Sequence, residues 1–122
     1  MPGQIVVIED EPSVQELLRD ILEPQGYAVV SFDHPRALEL DPNQDVDLIL
    51  MDLMLPAQSG VQLAGKLRAA GFRHTPIIAM SASRIMLHVA AESGFFQETV
   101  SKPFDVGDLL RCVRQYAGRY VL

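Results

Sequence analysis

The length and composition of the chain, 122 residues of which 48% are hydrophobic, allow one buried core and exclude two ordinary domains. Sixteen acidic and ten basic residues give a formal net charge of -6, which repels nucleic acid and anionic membranes, so we expect the chain to bind neither directly. One cysteine, no signal-peptide pattern at the start and no apolar run of about 18 residues indicate a single cytoplasmic domain over residues 1–122, without a disulfide or a membrane span.

The first apolar run predicts a buried strand followed by a helix. Residues 5–8 (IVVI) run directly into two acids, Glu9 and Asp10. Ser13 and Glu16 have the spacing of a helix-capping box. The apolar residues behind that box fall on one helical face: Val14, Leu17, Leu18, Ile21 and Leu22.

The next segments predict a second strand, a short helix and a third strand. Residues 27–32 have the composition of a strand. Pro35 suits the first turn of a short helix that ends at residues 41–43. The third strand, residues 46–51 (VDLILM), runs into Asp52.

The second half of the chain alternates in the same way. Residues 60–71 have helical spacing, Pro76 opens a fourth strand that stops at Ser81, and residues 84–93 are the next helix candidate. A short segment ending at Ser101 precedes Lys102. A last helix follows, capped by Asp105, with a predicted inward face of Val106, Leu109, Leu110 and Val113.

This alternation predicts an α/β fold with a parallel sheet. A strand followed by a helix recurs five times at intervals of about 20 to 30 residues, which implies right-handed crossovers. The carboxyl ends of such strands lie at one edge of the sheet, where ligands bind. We therefore expect one cluster of chemically active side chains there: Glu9, Asp10, Asp52, Ser81 and Lys102.

The charges of this predicted cluster indicate a metal ion. Two carboxylates about 4 Å apart repel each other by roughly 1 to 4 kcal/mol. Three acids and one lysine sum to a charge of -2, which a divalent cation cancels. Because a site made of oxygen ligands with room for water suits Mg²⁺, we expect Mg²⁺ as the cofactor.

Four pieces of the sequence resemble the receiver domain of bacterial two-component response regulators. They occur in the family's order, each at the end of an apolar run: residues 7–12 (VIEDEP), 48–56 (LILMDLMLP) with Gly60 behind them, 79–82 (AMSA) and 101–104 (SKPF). The resemblance covers essentially the whole chain. It implies a single doubly wound five-stranded parallel sheet with the flavodoxin-like strand order 2-1-3-4-5 and five helices.

The resemblance also implies a role for each residue at the strand ends. Asp52 would accept a phosphoryl group from a phosphohistidine on a sensor histidine kinase or phosphotransfer protein. Lys102 would neutralise charge on that group and Ser81 would donate a hydrogen bond to it. Pro103 would follow a cis peptide bond that aims the lysine. Mg²⁺ would be held by Glu9, Asp10, Asp52 and the Met54 carbonyl.

Two features depart from the family pattern. Many receivers carry Tyr or Phe where this chain has Thr99, so the usual aromatic switch is absent from that position. The stretch from Ser81 to Gly94 is shorter than is typical, and apolar residues are in surplus over residues 85–96. We expect most of these to pack internally and some to offer a patch on the output face, formed by the fourth helix, the last strand and the last helix, for a downstream effector. The resemblance also leaves room for a homodimer.

The function that the sequence favours is a phosphorylated signalling switch, and we expect such a switch not to be a conventional enzyme. Three other functions are alternatives to it. A pseudo-receiver, which binds partners without phosphorylation, is the main alternative, since Thr99 departs from the pattern. A phosphatase of the haloacid dehalogenase type needs a second Asp where this chain has Met54. A flavodoxin-like nucleotide binder needs glycine in the first turn, which here is acidic. The remaining candidates for chemistry are interpreted as surface or packing residues: His34, His74, His88 and Cys112.

Overall fold

Five parallel strands form one sheet in the computed structural model, which describes residues 4–118. The strands are β1 (Gln4–Ile8), β2 (Ala28–Phe32), β3 (Val46–Asp52), β4 (Ile77–Ser81) and β5 (Glu98–Ser101). Their order across the sheet is β2-β1-β3-β4-β5, and all four neighbouring pairs are parallel. The predicted fold class and strand order are therefore confirmed. Residues 1–3 and 119–122 of the predicted domain lie outside the described residues.

Residues 4–118 also form four α-helices and two 3-10 helices, of which all but the last α-helix lie between strands. The α-helices are α1 (Pro12–Leu22), α2 (Gly60–Ala69), α3 (Arg84–Ser93) and α4 (Val106–Ala117), and the 3-10 helices are Glu23–Gln25 and His34–Glu39. The prediction of five helices is thus wrong by one. His34–Glu39 spans only six residues between the extended residues Asp33 and Leu40, too few to form a stable α-helix.

The start of α1 also differs from the prediction. Ser13 and Glu16 form no capping box, because the helix already begins at Pro12, with Glu11 as its N-cap and no side-chain cap bond. Proline suits this first position because its missing N–H needs no partner there. The predicted cap of the last helix is confirmed, since the Asp105 side chain accepts a hydrogen bond from the Asp108 N–H.

Alternate side chains of the strands pack on opposite faces of the sheet. Ile5 and Val7 of β1 pack with α1 and α4, whereas Val6 and Ile8 pack with α2. This arrangement is what makes the sheet doubly wound. The helices contribute buried residues to both faces: Leu18, Leu22, Leu109, Cys112 and Val113 on the first face, and Leu63, Ala64 and Leu67 on the second. Each fully buried leucine stabilises the fold by about 2 kcal/mol.

Three predictions about side-chain burial have different outcomes. Val106 was expected on the inward face of α4 but is 48% exposed, because it lies in the first turn, ahead of the buried Leu109. Cys112 is almost fully buried, as expected of a packing residue. In the apolar stretch, Ile85 and Val89 are exposed, while the other apolar residues are partly buried against the core: Met86, Leu87, Phe95 and Phe96. None of the helices in the described part of the chain is long and apolar enough to cross a membrane.

Candidate functional site

Glu9 lies buried at the end of β1. Its N–H donates to the Phe32 carbonyl at 3.0 Å, which extends the pairing of β1 with β2 by one residue. Its carboxylate is only 1% exposed, and neither Oε1 nor Oε2 has a hydrogen-bond partner. A buried carboxylate without hydrogen bonds is costly, so this group needs a proton or a cation.

Lys102 lies between two of the predicted acids. Its Nζ is 3.6 Å from Oε2 of Glu9 and 3.6 Å from Oδ2 of Asp52, although Asp52 ends β3 and Lys102 follows β5. The Lys102 N–H donates to the Ser81 carbonyl at 3.0 Å, which fixes the lysine backbone against the end of β4. The predicted cis peptide bond between Lys102 and Pro103 is confirmed.

The pKa of Glu9 shows that the positive charge of Lys102 alone does not balance the two neighbouring acids, Glu9 and Asp52. The pKa of Glu9 is raised from 4.5 to about 8, first by burial and then by the neighbouring Asp52 carboxylate. Lys102 acts in the opposite direction without restoring the ordinary pKa. Without further positive charge, Glu9 is therefore largely protonated at neutral pH.

The loop after β3 contacts Oδ1 of Asp52, the oxygen that does not face Lys102. The Met54 N–H donates to Oδ1 of Asp52 at 3.1 Å, and the Met54 backbone forms an antiparallel bridge with Ser59. This return of the chain requires Gly60, because a Cβ there would lie 2.5 Å from the Asp52 carbonyl oxygen. The bridge and the glycine leave Oδ2 of Asp52 on the side of Lys102.

Ser81 and Thr99 lie further along the same edge. Ser81 is fully buried, and its Oγ accepts a hydrogen bond from the Ser83 N–H at 3.0 Å. Ser83 is in turn the N-cap of α3, where its Oγ accepts from the Met86 N–H. Thr99 of β5 is paired with Ala79 of β4 and borders a cavity of about 270 Å³ between β5 and α4.

Asp10 has a partner that the sequence did not reveal. Its Oδ1 accepts the backbone N–H of His34 at 2.8 Å, and its Oδ2 lies 2.8 Å from Nδ1 of the same histidine. The interpretation of His34 as a surface or packing residue is therefore incomplete. The two residues are 24 positions apart and share no motif, and only the adjacency of β1 and β2 brings them together.

The donor set is suited to a hard cation but is not fully assembled. Glu9 has unpaired oxygens beside Asp52, and carboxylate oxygens are the ligands Mg²⁺ prefers. Among residues 4–118, however, no three side chains of His, Cys, Asp or Glu are grouped so that they could hold a metal ion. Both oxygens of Asp10, the third acid, are engaged by His34 in this structure.

Comparison with known proteins gives consistent similarities. The sequence model of the response regulator receiver domain matches residues 5–114. The chain is 31% identical to the polar-differentiation response regulator DivK of Brucella anthropi, over 97% of this chain and 98% of DivK. It is 34% identical to the transcriptional regulatory protein DltR of Streptococcus agalactiae, over 91% of this chain but 50% of DltR, and so spans about half of that relative.

A solved structure with a metal ion is also similar. It is the receiver domain of the sensor histidine kinase PA1611 of Pseudomonas aeruginosa, with a magnesium ion coordinated in its active site cleft. The TM-score is 0.84 and the identity 29%, over 97% of this chain and 99% of that one.

Proposed function

The chain belongs to the response regulator receiver domain family, and on that premise we propose that it is a phosphorylation-activated switch of a two-component phosphorelay, with Asp52 as the phosphoacceptor. Receiver domains are generally signalling domains and not conventional enzymes, and they interact with sensor histidine kinases and effector domains. The finer roles below are our proposal for this chain.

One observation supports this proposal above all others. Lys102 lies 3.6 Å from both Glu9 and Asp52, while the Glu9 carboxylate remains without a hydrogen bond. A purely structural ion pair would leave neither an unsatisfied carboxylate nor a second acid beside it. An excess of buried carboxyl groups over cations is, in contrast, what a site for a divalent cation requires, and that cation would in turn offset the charge of a phosphoryl group.

In the proposed reaction, Oδ2 of Asp52 attacks the phosphorus of a phosphohistidine on a kinase or phosphotransfer protein. The P–N bond breaks as the new P–O bond forms, which leaves an acyl phosphate on Asp52 and an imidazole on the donor. The Met54 N–H holds Oδ1, so Oδ2 is the oxygen left to react, and Lys102 neutralises charge on the transferred group.

The metal site of the proposal consists of Glu9, Asp10, Asp52 and the Met54 carbonyl. When bound, Mg²⁺ would supply positive charge in addition to that of Lys102 and so stabilise the oxygens of the phosphoryl group. The magnesium in the PA1611 receiver supports this assignment.

After transfer, we expect the Ser81 hydroxyl to turn toward the phosphoryl group and leave the Ser83 N–H. The effector would then recognise the face formed by α3, β5 and α4, where Ile85 and Val89 are exposed. A cytoplasmic location and a homodimer stay predictions.

A pseudo-receiver remains the second candidate, and one observation favours it. Asp10 is engaged by His34, and no three His, Cys, Asp or Glu side chains of the described residues are grouped to hold a metal. Such a protein would fold and bind its partner without a phosphoryl group.

Intact mass after incubation with acetyl phosphate separates the two candidates. We expect a single phosphate adduct that requires Mg²⁺ and is lost in Asp52→Asn, since an amide cannot form the acyl phosphate. Asp47→Asn, which changes an acid earlier in β3, is the matched control and should keep the adduct. Equal phosphorylation of Asp52→Asn and wild type would refute the assignment, and no adduct in wild type would favour the pseudo-receiver.

A further inference from the structure

His34 and Asp10 form a two-point contact at the rim of the site. His34 is the first residue of the 3-10 helix that follows β2, and its backbone N–H donates to Oδ1 of Asp10. Its Nδ1 lies 2.8 Å from Oδ2. Because an ionised carboxylate only accepts hydrogen bonds, the imidazole must carry its proton on Nδ1. The side chains are 13% and 24% exposed, so water competes only partly for this contact.

The three acids at the strand ends differ sharply in how well they are satisfied. Both oxygens of Asp10 are 2.8 Å from a donor, whereas both oxygens of the buried Glu9 lack a hydrogen bond. Asp52 faces Lys102 with one oxygen and the Met54 N–H with the other. Asp10 is thus the acid that already has its hydrogen-bond partners, and among the described residues no three His, Cys, Asp or Glu side chains are grouped to hold a metal.

We propose that His34 is a positioning residue that holds Asp10 away from the metal, so that Mg²⁺ binds only by taking Asp10 from the imidazole. The inference rests on the proposed function, which supplies the Mg²⁺ site. The hydrogen bond from the His34 backbone N–H to Oδ1 of Asp10 can persist with and without Mg²⁺, because it depends on the path of the backbone and not on the imidazole. The contact between Nδ1 and Oδ2 is the one that Mg²⁺ must break.

This competition predicts that His34 weakens Mg²⁺ binding. Losing this partly exposed hydrogen bond on metal binding, at about 1 kcal/mol, lowers the affinity about fivefold. His34→Ala should therefore bind Mg²⁺ about fivefold more tightly than wild type. His34→Asn should bind with nearly wild-type affinity, because its side-chain N–H can donate to Asp10 in place of Nδ1.

The experiment is a calorimetric Mg²⁺ titration of the full chain, with all variants at one buffered pH. His74→Ala is the matched control, since it removes an exposed imidazole and should leave the affinity unchanged. In wild type, the nitrogen signals of the His34 imidazole should shift on addition of Mg²⁺ while those of His74 do not. This second readout does not depend on any substitution folding correctly.

The possible results separate this inference from the proposed function. Equal or weaker Mg²⁺ binding by His34→Ala would overturn the inference, as would a His34→Asn variant that binds as tightly as His34→Ala. If in that case Asp52→Asn still weakens Mg²⁺ binding, the metal site stands and only the role of His34 is wrong. If Asp52→Asn binds Mg²⁺ as well as wild type, or wild type binds none, the proposed metal site fails as well.

Discussion

At the scale of single residues, the environment of Glu9 departs strongly from that of the free amino acid. It is buried, lacks hydrogen bonds and lies beside a second carboxylate, with one lysine to compensate. Its pKa of about 8 means that the metal-free protein favours the neutral form of a group that its proposed function uses as an anion. Proton and cation therefore compete for the same buried position.

This competition predicts that Glu9→Gln stabilises the metal-free protein, and more so as the pH rises. The folded pKa lies above the unfolded value of 4.5, so the unfolded chain loses its proton first and the free energy of unfolding falls between pH 4.5 and about 8. Glutamine cannot ionise and escapes this fall. In a chelator, urea unfolding should show Glu9→Gln to be more stable by on the order of 2 to 4 kcal/mol at pH 8 and nearly equal to wild type at pH 4.5.

The exposed Glu16 provides the control, because Glu16→Gln should leave the pH dependence unchanged. If the free energy of unfolding depends on pH in the same way for wild type and Glu9→Gln, Glu9 has an ordinary pKa in the folded protein.

At the scale of elements, one arginine of α2 is hydrogen-bonded to two loops of the fold. In Arg68 of α2, Nη1 donates to the carbonyls of Phe72 and Thr75, and Nη2 donates to the Phe95 carbonyl and to Oε1 of Gln97. The Phe95 ring also lies directly against Gly65 of α2. The loop between α3 and β5 is thus fastened to α2, so any rearrangement of that loop on phosphorylation must disturb these bonds.

We predict that Arg68→Lys destabilises the protein by about 1 to 3 kcal/mol, because a single ammonium cannot reach four acceptors in separate segments. The comparison is Arg73→Lys at an exposed position, which should change the free energy of unfolding by less than about 0.5 kcal/mol. Denaturant unfolding of both variants measures the difference. Equal stabilities would show that water satisfies these carbonyls as well as Arg68 does.

Strand ends and strand order were predictable because they follow from short-range patterns and from the geometry of parallel sheets. The apolar runs locate Glu9, Asp52 and Lys102 at one edge, and the structure brings these three together. Helix starts were less certain, since Pro12 overrides the capping pattern of Ser13. The contact of His34 with Asp10 could not be predicted, because it depends on where a 3-10 helix begins and leaves no local pattern.

At the scale of the whole molecule, a chain of hydrogen bonds leads from the site to the proposed output face. Ser81 accepts from the Ser83 N–H, and Ser83 caps α3. If the Ser81 hydroxyl turns toward a phosphoryl group, the Ser83 N–H at the start of α3 loses its acceptor, and such a hydrogen bond is worth about 1 kcal/mol. Thr99, which has no ring to bury, then leaves α3 and the loop after it as the elements that respond.

We therefore predict that Mg²⁺ with beryllofluoride, a mimic of the phosphoryl group, changes hydrogen exchange mainly over residues 83–100. The first turn of α3 and the loop carrying Phe95 and Phe96 should change most, because Ser83 and Arg68 hold them in the free protein. Asp52→Asn, which lacks the acceptor carboxylate, should show no such change. If exchange changes only around α1, the proposed output face is wrong.

The single cysteine of the chain, Cys112, can report the rate at which α4 separates from the sheet. Cys112 lies on the buried face of α4 and is 1% exposed, and burial raises the pKa of its thiol, so both access and the thiolate fraction are low in the native state. A thiol reagent should therefore react only as fast as α4 separates from the sheet. A second cysteine placed on the surface would be labelled selectively, which suits the protein to site-directed spectroscopy without removal of its native thiol.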